Sequence, residues 1–402
     1  MAVTRASTPS RRTRSRRAAP SPSLTTSARS VALAALLRIE VDGAFANLVL
    51  PGLLDASGLD ERDRAYATDL VYGTTRLRRA CDWSADRFVQ RDLEPEVRCA
   101  VRLGVYQLLS GTPAHAAVGE TVAVAPLRAR GLVNAVLRKV AGAPPVWPDD
   151  ATRLSYPDWI VDRLVSDLGR DDAMAALERM NQPAAVNERA DGYVQDRGSQ
   201  LVVEAVAAEP GSVVVDVCAA PGGKATGLAA RGARVVALDI RPGRVGLVEA
   251  NAARLRLDPS QLSVVVADGL SPPLRPSAVD AVLVDAPCTG LGSLRRRADA
   301  RWRIVPEAAD RLASLQVHLL HAAARLVRPG GTLIYSVCTL TAAETVEVAA
   351  RFGGAHADFE PLPPPTGPWA TARGGRGALL LPQAADTDGM YLHRWSRTGS
   401  SP

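Results

Sequence analysis

An all-helical bundle followed by a doubly wound α/β domain is the fold class this sequence predicts, and three observations predict it. Residues 30–145 carry apolar side chains at helical spacing and no convincing strand alternation. From Leu201 the texture changes to short apolar runs separated by helical stretches, the repetition of a parallel sheet with helices on both faces. The last two runs, 378–381 and 390–395, flank a turn at 386–389 and read as a closing hairpin. Together the runs make a mostly parallel sheet of seven strands.

In the first half, helical spacing is clearest over 31–39, 66–79, 96–110 and 117–140. Breakers stand at Asp42-Gly43, Pro51-Gly52, Gly111-Thr112-Pro113 and 142–145. Several helices on short loops imply a compact bundle, with a scaffolding or recognition role. Residues 146–200 read as linker helices and a short polar connector. In the second half, over 201–397, strands are predicted at 212–217, 234–240, 262–267, 279–285 and 331–337. Helices lie between them at 224–230, 244–257 and 308–327.

Composition excludes several classes. The 402 residues are 47% hydrophobic, enough for real cores, yet no run of 18 apolar residues predicts a membrane span. The five cysteines are odd in number and form no C-x-x-C pair, which argues against a disulfide framework and a zinc site. A reducing, cytoplasmic setting and no metal are expected. The net charge of +6 is a tail effect: residues 1–29 hold seven arginines and no acid, and the remainder is close to neutral. That tail reads as an arm for RNA phosphates, as a solvated terminus that cannot build a core, or as an organelle transit peptide. Only Lys139 and Lys224 are lysines among 48 basic residues, a hint that a compact ammonium is needed where one survives.

The chemistry concentrates at strand ends. Asp216 to Lys224, DVCAAPGGK, lies where the first strand of the sheet meets a helix, with small residues that let a ligand approach the backbone. It is not a Walker loop, because Cys218 stands where the first glycine belongs, and the dinucleotide spacing G-x-G-x-x-G is absent. A nucleoside cofactor without a pyrophosphate remains, and S-adenosylmethionine is the obvious candidate. Asp239 ends the second strand, suited to ribose hydroxyls, and Asp268 follows the third, suited to an adenine amino group. Singly each acid reads as a cap or turn residue. Acids at three successive strand ends of one sheet favour a site.

Asp285-Ala286-Pro287-Cys288 follows the fourth strand and Ser336-Val337-Cys338 the fifth. A free cysteine is more often a small buried hydrophobe, the reading for Cys81 and Cys99 on apolar helix faces. Two thiols at adjacent strand ends, one beside an acid, suit another task. Carbon 5 of cytosine is a poor nucleophile until a thiolate adds to carbon 6 and makes an enamine. A nearby carboxyl such as Asp285 can help protonate ring nitrogen 3. The residues alone do not order the two cysteines.

These motifs resemble the RNA (cytosine-5) methyltransferases of the Sun/Fmu type. The matching segments are DVCAAPGGK, ALDI (237–240), ADG (267–269), DAPCTGLG (285–292) and YSVCTL (335–340). FANLVLP (45–51), RLGVYQLL (102–109), HAAVGETV (115–122) and GLVNAVLR (131–138) resemble the NusB-like RNA-binding domain joined to the bacterial enzyme. VQDRGSQL (194–201) is also family-like. The resemblance implies a Rossmann-like class I methyltransferase domain behind a NusB-like bundle. It implies S-adenosylmethionine held by Cys218, Ala219, Ala220, Pro221, Gly222, Gly223, Lys224, Asp239, Asp268 and Asp285. It implies Cys338 as covalent nucleophile and Cys288 in release of the methylated RNA. The implied substrate is a cytosine of 16S rRNA, and a monomer is expected. A tRNA substrate, or a ribosome-assembly factor that binds RNA, are the alternatives. Three departures stand out. The family's RNA-contacting subdomain of about fifty residues has no room in 183–194, Ala225 replaces the usual Thr, and the closing hairpin reads DGMY.

Overall fold

The computed structural model describes residues 26–399. The six arginines between Arg5 and Arg17 lie outside them. Arg29, counted with the tail, belongs to the first helix. Its guanidinium donates to Gln107 at 2.8 Å and stacks on Tyr66.

The bundle contains α1 (Ala28–Val41), α2 (Ala46–Ser57), α3 (Glu61–Arg76), α4 (Arg78–Asp86), α5 (Pro95–Leu109), α6 (Ala114–Val124) and α7 (Arg130–Gly142). Ser27 caps α1 in a capping box and Asp60 caps α3 through the Asp63 amide. The core is built on α5, where Leu103 and Val105 are fully buried, with Leu70, Val133 and Leu137 against it. Cys81 and Cys99 are buried there, and burial pushes both thiols up, Cys99 to about 11. Two expectations are corrected. Pro51 sits inside α2 instead of ending it, because Val49, Leu50 and Leu54 bury one face of the helix and outweigh one missing backbone bond. The stretch 117–140 is two helices. Pro126 forces Ala125 into an extended conformation (ψ 154°), and a short turn separates α6 from α7.

The linker folds as α8 (Asp150–Leu154), α9 (Asp158–Leu168) and α10 (Arg170–Met180). Their apolar faces pack with Leu291, Leu294 and Leu340, in the loops that follow the fourth and fifth strands. VQDRGSQL opens α11 (Arg197–Val206), capped by Asp196 through the Gly198 amide.

The sheet has nine strands, not seven: β1 (Val213–Asp216), β2 (Arg234–Asp239), β3 (Leu262–Val266), β4 (Val279–Asp285), β5 (Val327–Val337), β6 (Phe359–Pro361), β7 (Ala370–Thr371), β8 (Ala378–Leu380) and β9 (Met390–Arg397). The two extra strands, β6 and β7, are edge pieces too short to show alternation. The order is β3-β2-β1-β4-β5-β9-β8-β7, with β6 also paired to β9. The pairs among the first five strands are parallel, and β9 is antiparallel to β5. Strand order reverses between β1 and β4, and in open α/β sheets ligands bind in the crevice outside the carboxyl ends of the strands at such a switch point.

The central strands are apolar because both faces are covered. On one side lie α14 (Ala308–Ala324) and α15 (Val346–Ala355), with Val317, Leu320 and Phe352 buried. On the other lie α11, α12 (Gly223–Ala230) and α13 (Pro242–Arg254), with Leu228 and Val248 buried.

The bundle is bolted to the sheet by the arginine-rich loop after Gly292. The Arg301 guanidinium is fully buried, stacks 4.0 Å from the Tyr156 ring centroid, and donates to Asn181 Oδ1 at 2.9 Å and Ser155 O at 3.2 Å. Trp302 Nε1 donates to Thr75 O at 2.7 Å, and Arg303 reaches the carbonyls of Gly43 and Ala44. Arg76 of α3 in turn donates to Arg295 O at 3.0 Å.

Candidate active site at the carboxyl edge of the sheet

Register places the candidate residues side by side. Asp216 lies opposite Ala237 of β2 and Leu283 of β4, and Asp285 lies opposite Ser336 of β5. The residues just beyond these positions therefore share one edge.

The loop 218–223 turns at Gly222, whose φ of +103° favours glycine. A Cβ there would come within 3.1 Å of the Val248 backbone. Neighbours hold the loop open: Arg244 donates to Ala220 O at 2.5 Å, Asn251 Nδ2 to Pro221 O at 2.9 Å, and Arg189 to Gly223 O at 2.6 Å. Ala219 and Ala220 are buried and leave no bulk toward the crevice. Burial raises the Cys218 thiol, with Asp216, Asp285 and Asp239 adding to it, so this cysteine is an inert member of the loop. The Asp239 carboxylate accepts from the Arg241 amide at 3.1 Å and lies 3.7 Å from Arg244 Nε. Asp268 is exposed and accepts from the Leu270 amide at 2.9 Å, while Gly269 tucks against Val217 O.

Asp216, the first of the three strand-end acids, gains weight from its surroundings. It is buried, its Oδ1 takes the Cys218 amide at 3.3 Å, and its Oδ2 has no partner. Burial, with Asp285 adding and Lys224 opposing, raises its carboxyl to about 7. An orphaned acceptor beneath a glycine loop at a helix N-terminus, with acids at the next two strand ends, fits a nucleoside carrying a cationic amino-acid end.

The second half of the edge is denser. Lys224 Nζ is 2.7 Å from Asp285 Oδ2. Burial alone would lower the ammonium, but Asp285 outweighs it and holds it above its ordinary value. Beside this pair, Cys288 Sγ and Cys338 Sγ stand 3.3 Å apart, both partly exposed. The hydrogen bond from Cys288 lowers Cys338, aided by Lys224 and Arg297 against burial and Asp285. The same bond, burial and the nearby carboxylate of Glu344 raise Cys288. The contact between the sulfurs, and after it the charges around them, set the two thiols apart, a difference the sequence pattern does not carry. Gly292 N donates to Cys338 O at 3.0 Å and Gly389 N to Gly292 O at 2.8 Å, so the loop of the closing hairpin braces the thiol loop. A Cβ on Gly292 would lie 2.1 Å from Gly389 O. That contact requires a glycine and explains the second glycine of DAPCTGLG. Glu344 and Arg297 are the residues that sequence reasoning missed. Arg297 is one of several arginines in its loop and Glu344 one of several polar residues in its turn, and no spacing singles either out.

With this geometry in hand, the chain can be compared with known proteins. A family model described as 16S rRNA methyltransferase RsmB/F matches residues 203–395, and the NusB family matches 26–142. Ribosomal RNA small subunit methyltransferase B of Thermus thermophilus is 36% identical, over 92% of this chain and 98% of that protein. Putative methyltransferase Rv1407 of Mycobacterium tuberculosis is 36% identical, over 90% and 95%. Its alignment runs over 442 positions against a chain of 402 residues, so that relative carries residues with no counterpart here. The probable ribosomal RNA small subunit methyltransferase B of Bacillus subtilis is 30% identical, over 93% and 99%. Among solved structures, that of PH0851 has a TM-score of 0.74 at 20% identity, covering 92% of this chain and 99% of its own, which concerns the fold. The chain belongs to the RsmB/F family of 16S rRNA methyltransferases and carries a NusB-family domain at its amino end.

Proposed function

We propose that this protein transfers a methyl group from S-adenosylmethionine to carbon 5 of a cytosine in RNA, and that the RNA is 16S rRNA. The observation that carries the reading is the pair of thiols 3.3 Å apart beside the Lys224–Asp285 pair. Transfer to a nitrogen needs no thiol, because an amine attacks the methyl directly. The names of the relatives supply the rRNA.

Cys338 is the nucleophile, and its thiolate adds to carbon 6 of the ring. The Lys224–Asp285 pair keeps a proton beside Cys338, available for ring nitrogen 3 as the addition proceeds. The loop Cys218–Lys224 with Asp239, Asp268 and Asp285 holds the cofactor, which supplies the electrophilic methyl group. After transfer, the carbon 5 proton is lost to solvent and Cys338 leaves carbon 6 as the thiolate, with the Cys288 thiol beside it able to donate a proton to the departing sulfur. The test is nucleoside analysis of 16S rRNA, lacking this modification, after incubation with the purified chain and S-adenosylmethionine. 5-Methylcytidine is expected, and a methylated adenosine or guanosine as the product would sink the reading.

A further inference from the structure

A fully buried carboxylate lies behind the two thiols, and the reaction as described does not use it. Glu344 ends a short 3-10 turn, Ala342–Glu344, just past the Cys338 loop. Its Oε1 accepts from Thr289 N at 2.8 Å and Gln316 Nε2 at 3.2 Å. Its Oε2 accepts from the hydroxyls of Thr289 at 2.5 Å, Thr339 at 3.1 Å and Thr341 at 3.1 Å. Thr289 follows Cys288 in sequence and Thr339 follows Cys338, and their hydroxyls are themselves 3.0 Å apart. Five uncharged donors on one side chain is the bonding of an acceptor-only carboxylate. A buried charge held this way is costly to disturb, because each donor loses its partner with it.

We propose that Glu344 is a positioning residue: it ties the Cys288 loop to the Cys338 loop and, with two of its bonds on Thr289 next to Cys288 and one on Thr339 next to Cys338, keeps the shared proton on Cys288 and leaves Cys338 as the thiolate. The inference rests on the reading of Cys338 as nucleophile. The charges facing the pair come from every element around it. Asp285 of β4 faces both sulfurs, while Lys224 of α12 and Arg297 of the loop after β4 favour the anion on Cys338. Glu344 disfavours an anion on Cys288, whereas the hydroxyl of Tyr335 in β5 donates to the carbonyl of Glu344. The turn itself is anchored from α9, where Asp167 accepts from the Ala342 amide at 2.8 Å and is paired with Arg163. Gln316 of α14 holds Pro287 O at 2.8 Å while it bonds Glu344, so the tie reaches the residue before Cys288 as well.

The test is the pH dependence of iodoacetamide alkylation at each cysteine of the full-length protein, followed by peptide mass spectrometry, with no RNA present. In the wild type the alkylation midpoint of Cys338 should lie below that of Cys288. In Glu344→Gln the Cys288 midpoint should fall by about one pH unit, the size of one nearby buried charge. Methyl transfer should drop at least about tenfold while S-adenosylmethionine binding is kept. Glu344→Asp keeps the charge but shortens the reach, so transfer should fall with the Cys288 midpoint still high. A purely structural role would lower the melting temperature of Glu344→Gln and move neither midpoint, which overturns the proposal. So does a wild-type midpoint for Cys288 at or below that of Cys338, a result readable even where Glu344→Gln does not fold. Methyl transfer by Cys338→Ala would instead remove the nucleophile assignment, and the alkylation midpoints would still stand on their own.

Discussion

The loops after β1, β2 and β3 and the loops after β4 and β5 occupy one edge of one sheet, yet they are built in opposite ways. The first set is open. Asp268 is exposed, Asp239 is buried but accepts from only one backbone amide beside Arg244, and the glycine loop is held from behind by Arg189, Arg244 and Asn251. The second set is closed. Leu291, Leu294 and Leu340 of its loops pack on α8 to α10, Gly389 braces the Cys338 loop, and Glu344 ties the two cysteine loops, with both sulfurs left partly exposed. A ligand that must enter and leave at each turnover suits backbone contacts and acids at the rim. A covalent step suits groups whose separation is fixed before the substrate arrives.

That contrast predicts a ladder of effects. Cys338→Ala removes the proposed nucleophile from the closed set, and methyl transfer should fall by at least about 10⁴-fold. Calorimetric titration should still show S-adenosylmethionine binding, because the open set is untouched. Lys224→Met bridges the two sets. It leaves Asp285 without its cation, and transfer should fall by about 10²–10⁴-fold, the range for a group that supplies a proton. Single-turnover assays would read that loss.

Asp216→Asn tests the floor between the sets through pH. Burial pushes the folded carboxyl up to about 7 from the ordinary 3.8, so folding favours its protonated form. That stabilisation is fully present below pH 3.8 and is lost as pH rises through 7. The amide carries no such dependence. Its melting temperature relative to wild type should therefore become more favourable from pH 5 to pH 8, by the equivalent of a few kcal/mol at most. A difference that stays flat would mean that the carboxyl is not raised.

The smallest effects belong to the open set. Asp239→Ala removes the proposed charge-assisted bond to the ribose, and cofactor affinity should drop about tenfold to a hundredfold. Asp268→Ala, at an exposed turn, should cost only about two- to tenfold. If Asp268 proved the larger loss, the contrast between rim and floor would be reversed.

Much of this edge was legible in the sequence, for a physical reason. A strand buried on both faces is a short apolar run, so its end is marked by the first polar residue. Asp216, Asp239 and Asp285 are such residues, and Cys288 and Cys338 follow two of the runs. The helical half was legible by spacing, except where tertiary burial carried α2 through Pro51 and where Pro126 split one run into two helices. The strands β6 and β7 were too short to declare themselves. What could not be read was the pairing across the chain. Glu344 meets Thr289 from 55 positions away, and no local pattern announces it. The arginine-rich stretch after Gly292 has the composition of a solvated loop. Arg301 is nevertheless buried whole, because Tyr156 and carbonyls from distant elements receive it. The difference between the two thiols comes first from the contact between them, with Lys224, Arg297 and Glu344 adding a field that only the fold assembles.

The central claim is that Cys338 bonds to the RNA and that Cys288 serves its release, and trapping the bond tests it most directly. Purified Cys288→Ala protein is incubated with S-adenosylmethionine and 16S rRNA lacking the modification, then resolved on a denaturing gel. The account predicts an RNA-linked band that depends on the cofactor, with the linked nucleotide mapped by peptide mass spectrometry to Cys338. A nucleotide mapped to any other residue, or full turnover by Cys288→Ala with no linked band, would contradict it.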